Sequence, residues 1–250
     1  MKVIVGPASE QLGEEIAALL NVEMVPVISK IFPDGESYIR LEGDVENERV
    51  VIVQSTSPPQ DTRLVQLALI VDAARRNNAR KIECVVPYLA YSRQDKAFLQ
   101  GEAVSIEILA QIFKEIGVDS LITVNVHEKN MLSKFPFPAR TVSAVPLLAD
   151  YFKRRGFEKP FALAPDKGAM WLAEEAASIL SGKYGALEKH RDLYTGKVST
   201  ETKTLGVKGK TVIIFDDIIS TGGTIVAATE ILKRLKAERI YVACVHPLLI

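Results

Sequence analysis

The sequence predicts an α/β fold built from two similar domains in tandem, each a mainly parallel sheet flanked by helices. Two observations support this prediction. Short apolar runs that suit buried strands alternate with segments of helical periodicity, and helices that separate apolar strands are typical of parallel sheets. In addition, residues 50–89 read as strand, polar turn, helix, basic loop and strand, and residues 211–248 repeat that order.

The predicted elements follow one another along the chain. Strand-like runs lie at residues 2–5, 50–53, 82–86, 121–124, 161–163, 212–215 and 240–244. Helical patterns lie between these runs at residues 10–20, 61–77, 104–116, 146–155, 169–180 and 225–236. Residues 185–188 form a further possible strand. We place the domain boundary after Ser143, which gives domains of residues 1–143 and 144–250.

Composition excludes several classes of protein. Lys plus Arg and Asp plus Glu both number 31, so no overall field attracts nucleic acid or an anionic membrane. Cys84 and Cys244 lie in apolar strand-like runs, which indicates reduced thiols in a protein core rather than a disulfide. The apolar stretch at residues 3–5 is too short for a signal peptide, and no run approaches a membrane span. We therefore expect a cytoplasmic protein with local anion sites.

The segment from Thr211 to Thr224 is the most informative part of the chain. Its first five residues suit a buried strand, which is followed by Asp216 and Asp217 and then by a short turn rich in hydroxyl groups and glycine. The helical pattern at residues 225–236 follows at once. The turn is therefore expected at a helix N-terminus, where backbone N–H groups and the helix dipole favour a phosphate.

The composition of this turn suits the same anion. Ser220, Thr221 and Thr224 can donate hydrogen bonds, and Gly222 and Gly223 let the backbone close around a phosphate. The two carboxylates beside the turn would repel phosphate but accept hydrogen bonds from sugar hydroxyls. The expected ligand is a phosphorylated sugar such as ribose 5-phosphate, with its diol toward the acids.

The segment resembles the phosphoribosyl-pyrophosphate loop shared by phosphoribosyltransferases and ribose-phosphate pyrophosphokinases. The resemblance implies a phosphoribosyltransferase-like fold for both predicted domains. Only the second repeat carries the paired acids and the glycines, whereas the first has residues 54–61 at the equivalent place. If the repeat reflects a duplication, the first domain has lost the sugar site and serves another purpose.

A second strand-to-helix turn, at residues 164–169, suits a pyrophosphate or its metal. It resembles the family's pyrophosphate loop, which implies that Asp166 faces the cofactor Mg²⁺. His127 follows the strand-like run that ends at Val124, where a lone histidine is usually structural. The resemblance instead implies a role for His127 at the magnesium and the ATP phosphates. The family commonly carries aspartate where this chain has Asn125, so the charge beside His127 differs.

Two motifs separate the pyrophosphokinases from the transferases, which bind no ATP. Taken alone, residues 32–36 read as a tight turn and residues 91–96 as a solvated loop. Both match the pyrophosphokinases in sequence and order. The resemblance implies that adenine binds at Phe32, Asp34 and Glu36, and the ATP phosphates along Arg93, Gln94, Asp95 and Lys96. An aromatic ring, hydrogen-bond acceptors and an arginine are groups that suit a nucleotide.

Lys189 and Arg191 are the predicted catalytic residues. They precede a hydrophilic stretch, residues 192–203, whose composition indicates an exposed, mobile loop. The family's catalytic flexible loop begins with a Lys-x-Arg pattern, which these residues match. Two cations on a loop that closes over reacting phosphates would stabilise developing charge and exclude water. The alternative is a solvated charged loop without a catalytic role.

The resemblance thus implies a ribose-phosphate diphosphokinase that transfers the diphosphoryl group of ATP to ribose 5-phosphate and releases AMP. It also implies a homo-oligomer, a dimer or higher, and no nucleic-acid or membrane partner is expected. A phosphoribosyltransferase and a non-catalytic regulatory relative remain as alternatives. A regulatory relative should have lost loop charges, and this chain retains those of Asp166, Lys189 and Arg191. Family members generally continue past a strand near His246, whereas this sequence ends at Ile250.

Overall fold

The computed structural model describes three stretches of the chain: residues 1–191, 198–201 and 205–250. For the strand residues 188–191 and 198–201 it describes the backbone alone. Within the described residues the chain forms two compact units, Met1–Val142 and Ser143–Ile250. The division lies beside the boundary predicted after Ser143.

The first unit is described in full and contains eight strands, three α-helices and one short 3₁₀ helix. Its strands are β1 (Lys2–Val5), β2 (Glu23–Val25), β3 (Val27–Ile31), β4 (Ser37–Leu41), β5 (Arg49–Val53), β6 (Lys81–Val86), β7 (Ser120–Val124) and β8 (Ala139–Val142). Its α-helices are α1 (Glu10–Leu20), α2 (Gln60–Arg76) and α3 (Ser105–Glu115), and the 3₁₀ helix is Lys129–Lys134.

Six of these strands form one parallel sheet in the order β2-β1-β5-β6-β7-β8. Helices α2 and α3 cover one face, where Leu67 and Phe113 pack in a core with Ile52 and Leu121. Helix α1 covers part of the other face through Ala17. Strands β3 and β4 form a separate antiparallel hairpin. The carboxyl ends of β5, β6 and β7 therefore meet at one edge of the sheet.

The second unit contains six strands and three helices among its described residues. Its strands are β9 (Phe161–Ala164), β10 (Tyr184–Ala186), β11 (Glu188–Arg191), β12 (Val198–Glu201), β13 (Thr211–Ile219) and β14 (Arg239–Pro247). Its helices are α4 (Val145–Arg154), α5 (Met170–Leu180) and α6 (Gly223–Arg234). Strands β11 and β12 pair as an antiparallel ribbon.

The main sheet of the second unit is parallel, in the order β10-β9-β13-β14. Helices α4 and α5 cover one face, where Phe152 and Leu172 pack against Phe215. Helix α6 covers the other face, where Leu232 packs against Ile214. This arrangement confirms the predicted α/β class with helices flanking parallel sheets. The repeat is also real in structure, because β5-α2-β6 and β13-α6-β14 are the same crossover unit.

Each of the predicted strands and helices is present, and most ends differ by one or two residues. The larger errors are in β13 and β14, which continue to Ile219 and Pro247. Strand β2, the β3–β4 hairpin and β8 were not predicted, because their residues are largely exposed or half-exposed and so lack a clear apolar run. The possible strand at residues 185–188 is two short strands, β10 and β11, separated at Leu187.

Candidate functional site

The acid pair lies within a strand, whereas the sequence predicts a strand that ends at Phe215, just before the pair. Strand β13 continues through Asp216 and Asp217 because β14 pairs with it as far as Ile219↔Pro247. Pairing therefore carries the two acids into the carboxyl end of the sheet. Only 9% of Asp216 and 7% of Asp217 is exposed to solvent.

The two carboxyl groups are electrostatically coupled. The backbone N–H of Asp217 donates to Oδ1 of Asp216 at 3.0 Å. The N–H of Ile218 donates to Oδ1 of Asp217 at 2.8 Å. Burial above all, and then the neighbouring carboxylate, raises the pKa of Asp216 to about 7. The pair therefore concentrates acceptor oxygens and negative charge at a place with little solvent.

Asp166 lies at the same sheet edge as the acid pair. It follows β9, which neighbours β13 in the sheet, and the N–H of Ala169 donates to its Oδ1 at 3.1 Å. A Cβ atom on Gly168 would approach that oxygen to 3.2 Å, so glycine leaves room for the carboxylate in the turn. The charge of Asp166 also helps to raise the pKa of Asp216. The structure thus brings these acids together, as parallel neighbouring strands require.

The loop after β13 presents an open helix N-terminus. Helix α6 begins at Gly223, two residues before the predicted start, and Gly222 is its N-cap with a φ of 78°. Within the described residues, no side chain caps this end and the first turn of α6 contains no acid. The first intrahelical bond runs from the N–H of Val226 to the carbonyl of Gly222 at 2.9 Å. The preceding N–H groups have no acceptor within the helix.

The predicted phosphate ligands surround this end of α6. Thr221, Gly223 and Thr224 are exposed, and Ser220 and Gly222 are half-exposed. Their hydroxyl and N–H groups can therefore reach a ligand from solvent. An exposed set of donors next to a buried set of acceptors suits a molecule with a phosphate at one end and hydroxyl groups at the other.

In the first unit, residues 32–36 form the tip of the β3–β4 hairpin. The N–H of Phe32 donates to the carbonyl of Glu36 at 2.8 Å, and the N–H of Glu36 donates to Oδ1 of Asp34 at 3.1 Å. The Phe32 ring packs edge-on against Tyr38 at 5.9 Å between centroids, yet 46% of Phe32 remains exposed. The tight turn that the residues alone predict is present, and it displays an aromatic face.

Residues 91–96 form the loop after β6, at the carboxyl edge of the first sheet. Gln94 fixes this loop, because its side-chain amide donates to the carbonyls of Lys96 at 3.2 Å and Ala103 at 3.4 Å. Asp95 is half-exposed, and Arg93 and Lys96 are exposed. The Lys96 ammonium lies 5.3 Å from the centroid of the Phe98 ring. The two cations are accessible to an anionic ligand.

His127 lies beyond the end of β7, the strand next to β6. Its side chain is exposed, whereas Asn125 is buried at 1% exposure with a φ of 41°. The N–H of Asn125 donates to the carbonyl of Val142 at 2.9 Å, so the chain is tied to β8 just before His127. Asn125 therefore lies in a fixed part of the backbone that directs His127 outward.

Lys189 and Arg191 are backbone members of β11, where they pair with Thr200 and Val198 of β12. The sequence predicts a loop at these two residues and at residues 198–201. That prediction is wrong for the backbone, which forms the antiparallel strands β11 and β12. Their side chains, and the predicted loop residues 192–197 and 202–203, lie outside the described part of the chain.

The predicted site residues thus fall into two groups. The second unit holds Asp166 and residues 216–224, and the first unit holds residues 32–36, 93–96 and His127. In the described part of the chain, no set of three His, Cys, Asp or Glu side chains is arranged to hold a metal ion by itself. Within the same residues, no helix has the length and apolar character needed to cross a membrane.

One polar contact next to the predicted ATP-phosphate residues 93–96 was not predicted from the sequence. The Tyr91 hydroxyl donates to Oδ1 of Asp61 in the first turn of α2. The two residues lie 30 positions apart, and the sequence places Tyr91 in a solvated loop and Asp61 at the start of a helix. No local pattern could have paired them, and only the packing of the β6 loop beside α2 does so.

Comparison with known proteins gives the same division into two domains. Residues 1–117 match the family described as the N-terminal domain of ribose phosphate pyrophosphokinase. Residues 146–247 match the phosphoribosyl transferase domain. Both halves of the fold are therefore phosphoribosyltransferase-like.

Whole-length relatives agree with these matches. The ribose-phosphate pyrophosphokinase of Saccharolobus solfataricus is 43% identical, over all of this chain and 86% of that protein. The enzyme of the same name from Methanobrevibacter smithii is 42% identical, over 99% of this chain and 86% of its own length. The crystal structure of phosphoribosylpyrophosphate synthetase from Mycobacterium smegmatis superposes with a TM-score of 0.89, at 28% identity, covering all of this chain and 82% of its own.

These matches cover both units, and they include the strand, loop and helix that carry Asp216, Asp217 and Gly222. The chain belongs to the ribose-phosphate pyrophosphokinase family.

Proposed function

We propose that this chain is a ribose-phosphate diphosphokinase whose substrates are ATP and ribose 5-phosphate. The anomeric hydroxyl of the sugar attacks the β-phosphorus of ATP, and the bond from that phosphorus to the α-phosphate oxygen breaks. AMP leaves, 5-phosphoribosyl 1-diphosphate forms, and the hydroxyl proton is released. The observation that best supports this reaction is the buried acid pair beside the uncapped N-terminus of α6.

The ribose 5-phosphate site is assigned to the carboxyl edge of the second sheet. The 5-phosphate lies at residues 220–224, where the exposed hydroxyl groups and the free N–H groups of α6 can donate to it. The ribose hydroxyls donate to Asp216 and Asp217, whose low exposure removes competition from water. Binding both ends of the sugar orients its anomeric hydroxyl for attack.

The nucleotide site is assigned to the exposed groups of the first unit. Phe32 offers a ring for adenine to stack on, and Asp34 and Glu36 offer acceptors to its amino group. The phosphates lie along residues 93–96, where Arg93 and Lys96 supply positive charge and Gln94 holds the backbone. His127, on the neighbouring strand end, completes this set.

Mg²⁺ is the proposed cofactor. The fit rests on the negative charge at the sheet edge, where burial and the charges of Asp217 and Asp166 raise the pKa of Asp216. Hard oxygen donors of this kind suit Mg²⁺, which usually keeps water and phosphate oxygens as further ligands. Asp166 is the proposed ligand in the second unit and His127 the proposed ligand in the first, and bound Mg²⁺ would neutralise phosphate charge.

Lys189 and Arg191 are proposed as the catalytic cations. The reaction moves charge between phosphate oxygens, so positioned cations lower the barrier when they contact the transition state more strongly than the ground state. Such phosphoryl chemistry depends on positioning and electrostatics, and it needs no strong general base. The protein is further proposed to act in the cytoplasm as a homo-oligomer, without a nucleic-acid or membrane partner.

The decisive experiment is a product assay with ATP, Mg²⁺ and purified protein, with and without ribose 5-phosphate. We expect AMP and a pyrophosphorylated sugar only when the sugar phosphate is present. Formation of ADP would mean transfer of a single phosphoryl group and would exclude this reaction. A phosphoribosyltransferase would bind a nucleobase and no ATP, and a regulatory relative would bind ATP without forming AMP. The same assay with binding measurements therefore separates the three functions.

A further inference from the structure

Tyr91 begins the loop that we assign to the ATP phosphates, and its backbone conformation is unusual. Its φ is 64°, in the left-handed region that bulky side chains rarely adopt. Such a conformation persists only where surrounding contacts hold it, and it is often found at ligand sites. The contacts of Tyr91 therefore indicate what keeps this loop in place.

The main polar contact of the Tyr91 side chain is with α2. Its hydroxyl donates to Oδ1 of Asp61, which lies in the first turn of that helix. A carboxylate at this position is favoured by the helix dipole, so Asp61 is a well-placed acceptor. The hydrogen bond to Asp61 raises the pKa of the Tyr91 phenol, and Tyr91 therefore remains a neutral donor at physiological pH. Tyr91 as a whole residue is 44% exposed.

Backbone hydrogen bonds connect the rest of the loop to Tyr91 and to helix α3. The N–H of Gln94 donates to the carbonyl of Tyr91 at 3.2 Å, and Ser92 between them is buried at 4% exposure. The carbonyl of Gln94 accepts from the N–H of Ile106 at 3.4 Å, which ties the far side of the turn to α3. Arg93 lies between these two fixed residues. The direction of its backbone therefore depends on the conformation of Tyr91.

We propose that Tyr91 and Asp61 are positioning residues, whose hydrogen bond holds the backbone of residues 91–96 in the conformation that binds the ATP phosphates. The inference rests on the proposed function, because it takes Arg93 and its neighbours as phosphate ligands. Neither Tyr91 nor Asp61 needs to contact ATP. Loss of the bond lets Tyr91 leave its strained conformation, and Arg93 then turns away from the phosphates.

The test compares Tyr91→Phe, Asp61→Ala and Asp61→Asn in the full chain. Tyr91→Phe keeps the ring and removes only the donor, whereas Asp61→Asn keeps an acceptor oxygen. The matched control is Tyr184→Phe, because the Tyr184 hydroxyl donates to Oε1 of Glu174 at 2.9 Å and the residue is similarly exposed at 45%. That pair joins strand β10 to helix α5 in the second unit, and neither residue is assigned to the site.

We expect Tyr91→Phe and Asp61→Ala each to raise the ATP Kd and the KM for ATP by about three- to tenfold, the range for a net hydrogen bond. The KM for ribose 5-phosphate should stay at the wild-type value. The double variant Tyr91→Phe/Asp61→Ala should be no worse than either single variant, because both remove the same bond. Asp61→Asn should restore most of the affinity, and Tyr184→Phe should have no effect.

An ATP Kd within twofold of wild type for Tyr91→Phe would overturn the proposal, as would equal increases in KM for both substrates. The second result would mean a general structural role. The ATP Kd is measured by calorimetry without turnover, so this test stands even if the assay with ribose 5-phosphate detects no AMP. Absence of AMP from the wild-type protein would instead exclude the proposed reaction.

Discussion

Beyond the effects of burial and of Asp217, the charge of Asp166 adds to the raised pKa of the Asp216 carboxyl, although Asp166 follows strand β9 and Asp216 belongs to β13. Strands β9 and β13 are parallel neighbours, so the residues at their carboxyl ends share one edge of the sheet. The sheet therefore gathers acids that repel one another. A site of this kind is unfavourable when empty and becomes favourable when sugar hydroxyls or a cation bind.

The first prediction concerns the acid pair and the sugar. Asp216→Asn combined with Asp217→Asn should weaken ribose 5-phosphate far more than ATP, because only the sugar or its metal uses these carboxylates. Each lost hydrogen bond to a charged acceptor should cost roughly 1.5 to 3 kcal/mol of binding free energy. Calorimetric titration with each ligand measures this difference. Unchanged sugar affinity in a folded double variant would remove the diol role.

The second prediction concerns stability and pH. Because the pKa of Asp216 is raised from 3.8 to about 7, the folded state keeps a proton that the unfolded state has already lost. The unfavourable contribution of this group is absent below pH 3.8, and the free energy of unfolding then falls as pH rises toward 7. Asp216→Asn should remove this fall in the free energy of unfolding. It should therefore stabilise the ligand-free, metal-free protein by roughly 1 to 2 kcal/mol at pH 8.

Denaturant titrations of wild type and Asp216→Asn at pH 5 and pH 8 measure this effect. The difference between the two proteins should be smaller at pH 5, because folded Asp216 is still almost fully protonated there and pH 5 lies only a little above the unfolded-state pKa of 3.8. Glu230→Gln, which neutralises an exposed acid of α6, serves as the control and should show no such pH dependence. Equal differences at both pH values would contradict the raised pKa.

The third prediction concerns the N-cap of α6. Gly222 has a φ of 78°, and no atom lies within 4 Å of the position that a Cβ atom would occupy, so Gly222→Ala strains the backbone without a clash. Gly209, in a turn before β13, is a matched control, because its φ is 67° and no atom lies within 4 Å of the position of its Cβ atom either. Both alanine variants should lose about 1 to 2 kcal/mol of stability. Only Gly222→Ala should raise the KM for ribose 5-phosphate.

Measurements of stability and KM on the two glycine variants distinguish backbone strain from damage to the phosphate site. If Gly222→Ala and Gly209→Ala changed the KM for ribose 5-phosphate alike, the effect would come from stability. The loop at residues 220–224 would then lose its assignment as the phosphate site.

Much of the fold is visible in the sequence because the buried strands are local apolar runs. Val50, Ile82 and Leu121 each lie in such a run, and each belongs to a strand that pairs with its parallel neighbour in the sheet. The β3–β4 hairpin was missed because Lys30 and Arg40 interrupt its apolar residues on the exposed side. A half-exposed hairpin has no run of apolar residues for the sequence to reveal.

The arrangement of the candidate site could be predicted from the sequence where it depends on a single segment, and could not where it depends on strand pairing. Asp216 and Gly222 lie in one stretch whose composition alone indicates a sugar phosphate. The extension of β13 past Phe215 depends instead on β14, more than twenty residues later in the chain. The contact between Tyr91 and Asp61 likewise arises from packing, so the sequence did not predict it.

The last prediction concerns Lys189, which belongs to the β11 backbone and which we propose as a catalytic cation. If it acts mainly on the reacting phosphates in the transition state, Lys189→Ala should lower kcat at least 10²-fold, or about 2.7 kcal/mol of barrier. The ATP Kd and the stability should hardly change, because a ground-state ATP ligand would instead raise the Kd. Lys189→Arg should not restore full activity, since a planar guanidinium cannot replace a compact ammonium. Lys183→Ala, an exposed lysine of the same unit, is the control and should keep the wild-type rate. A wild-type kcat for Lys189→Ala would mean that this lysine is a solvated charge with no part in catalysis.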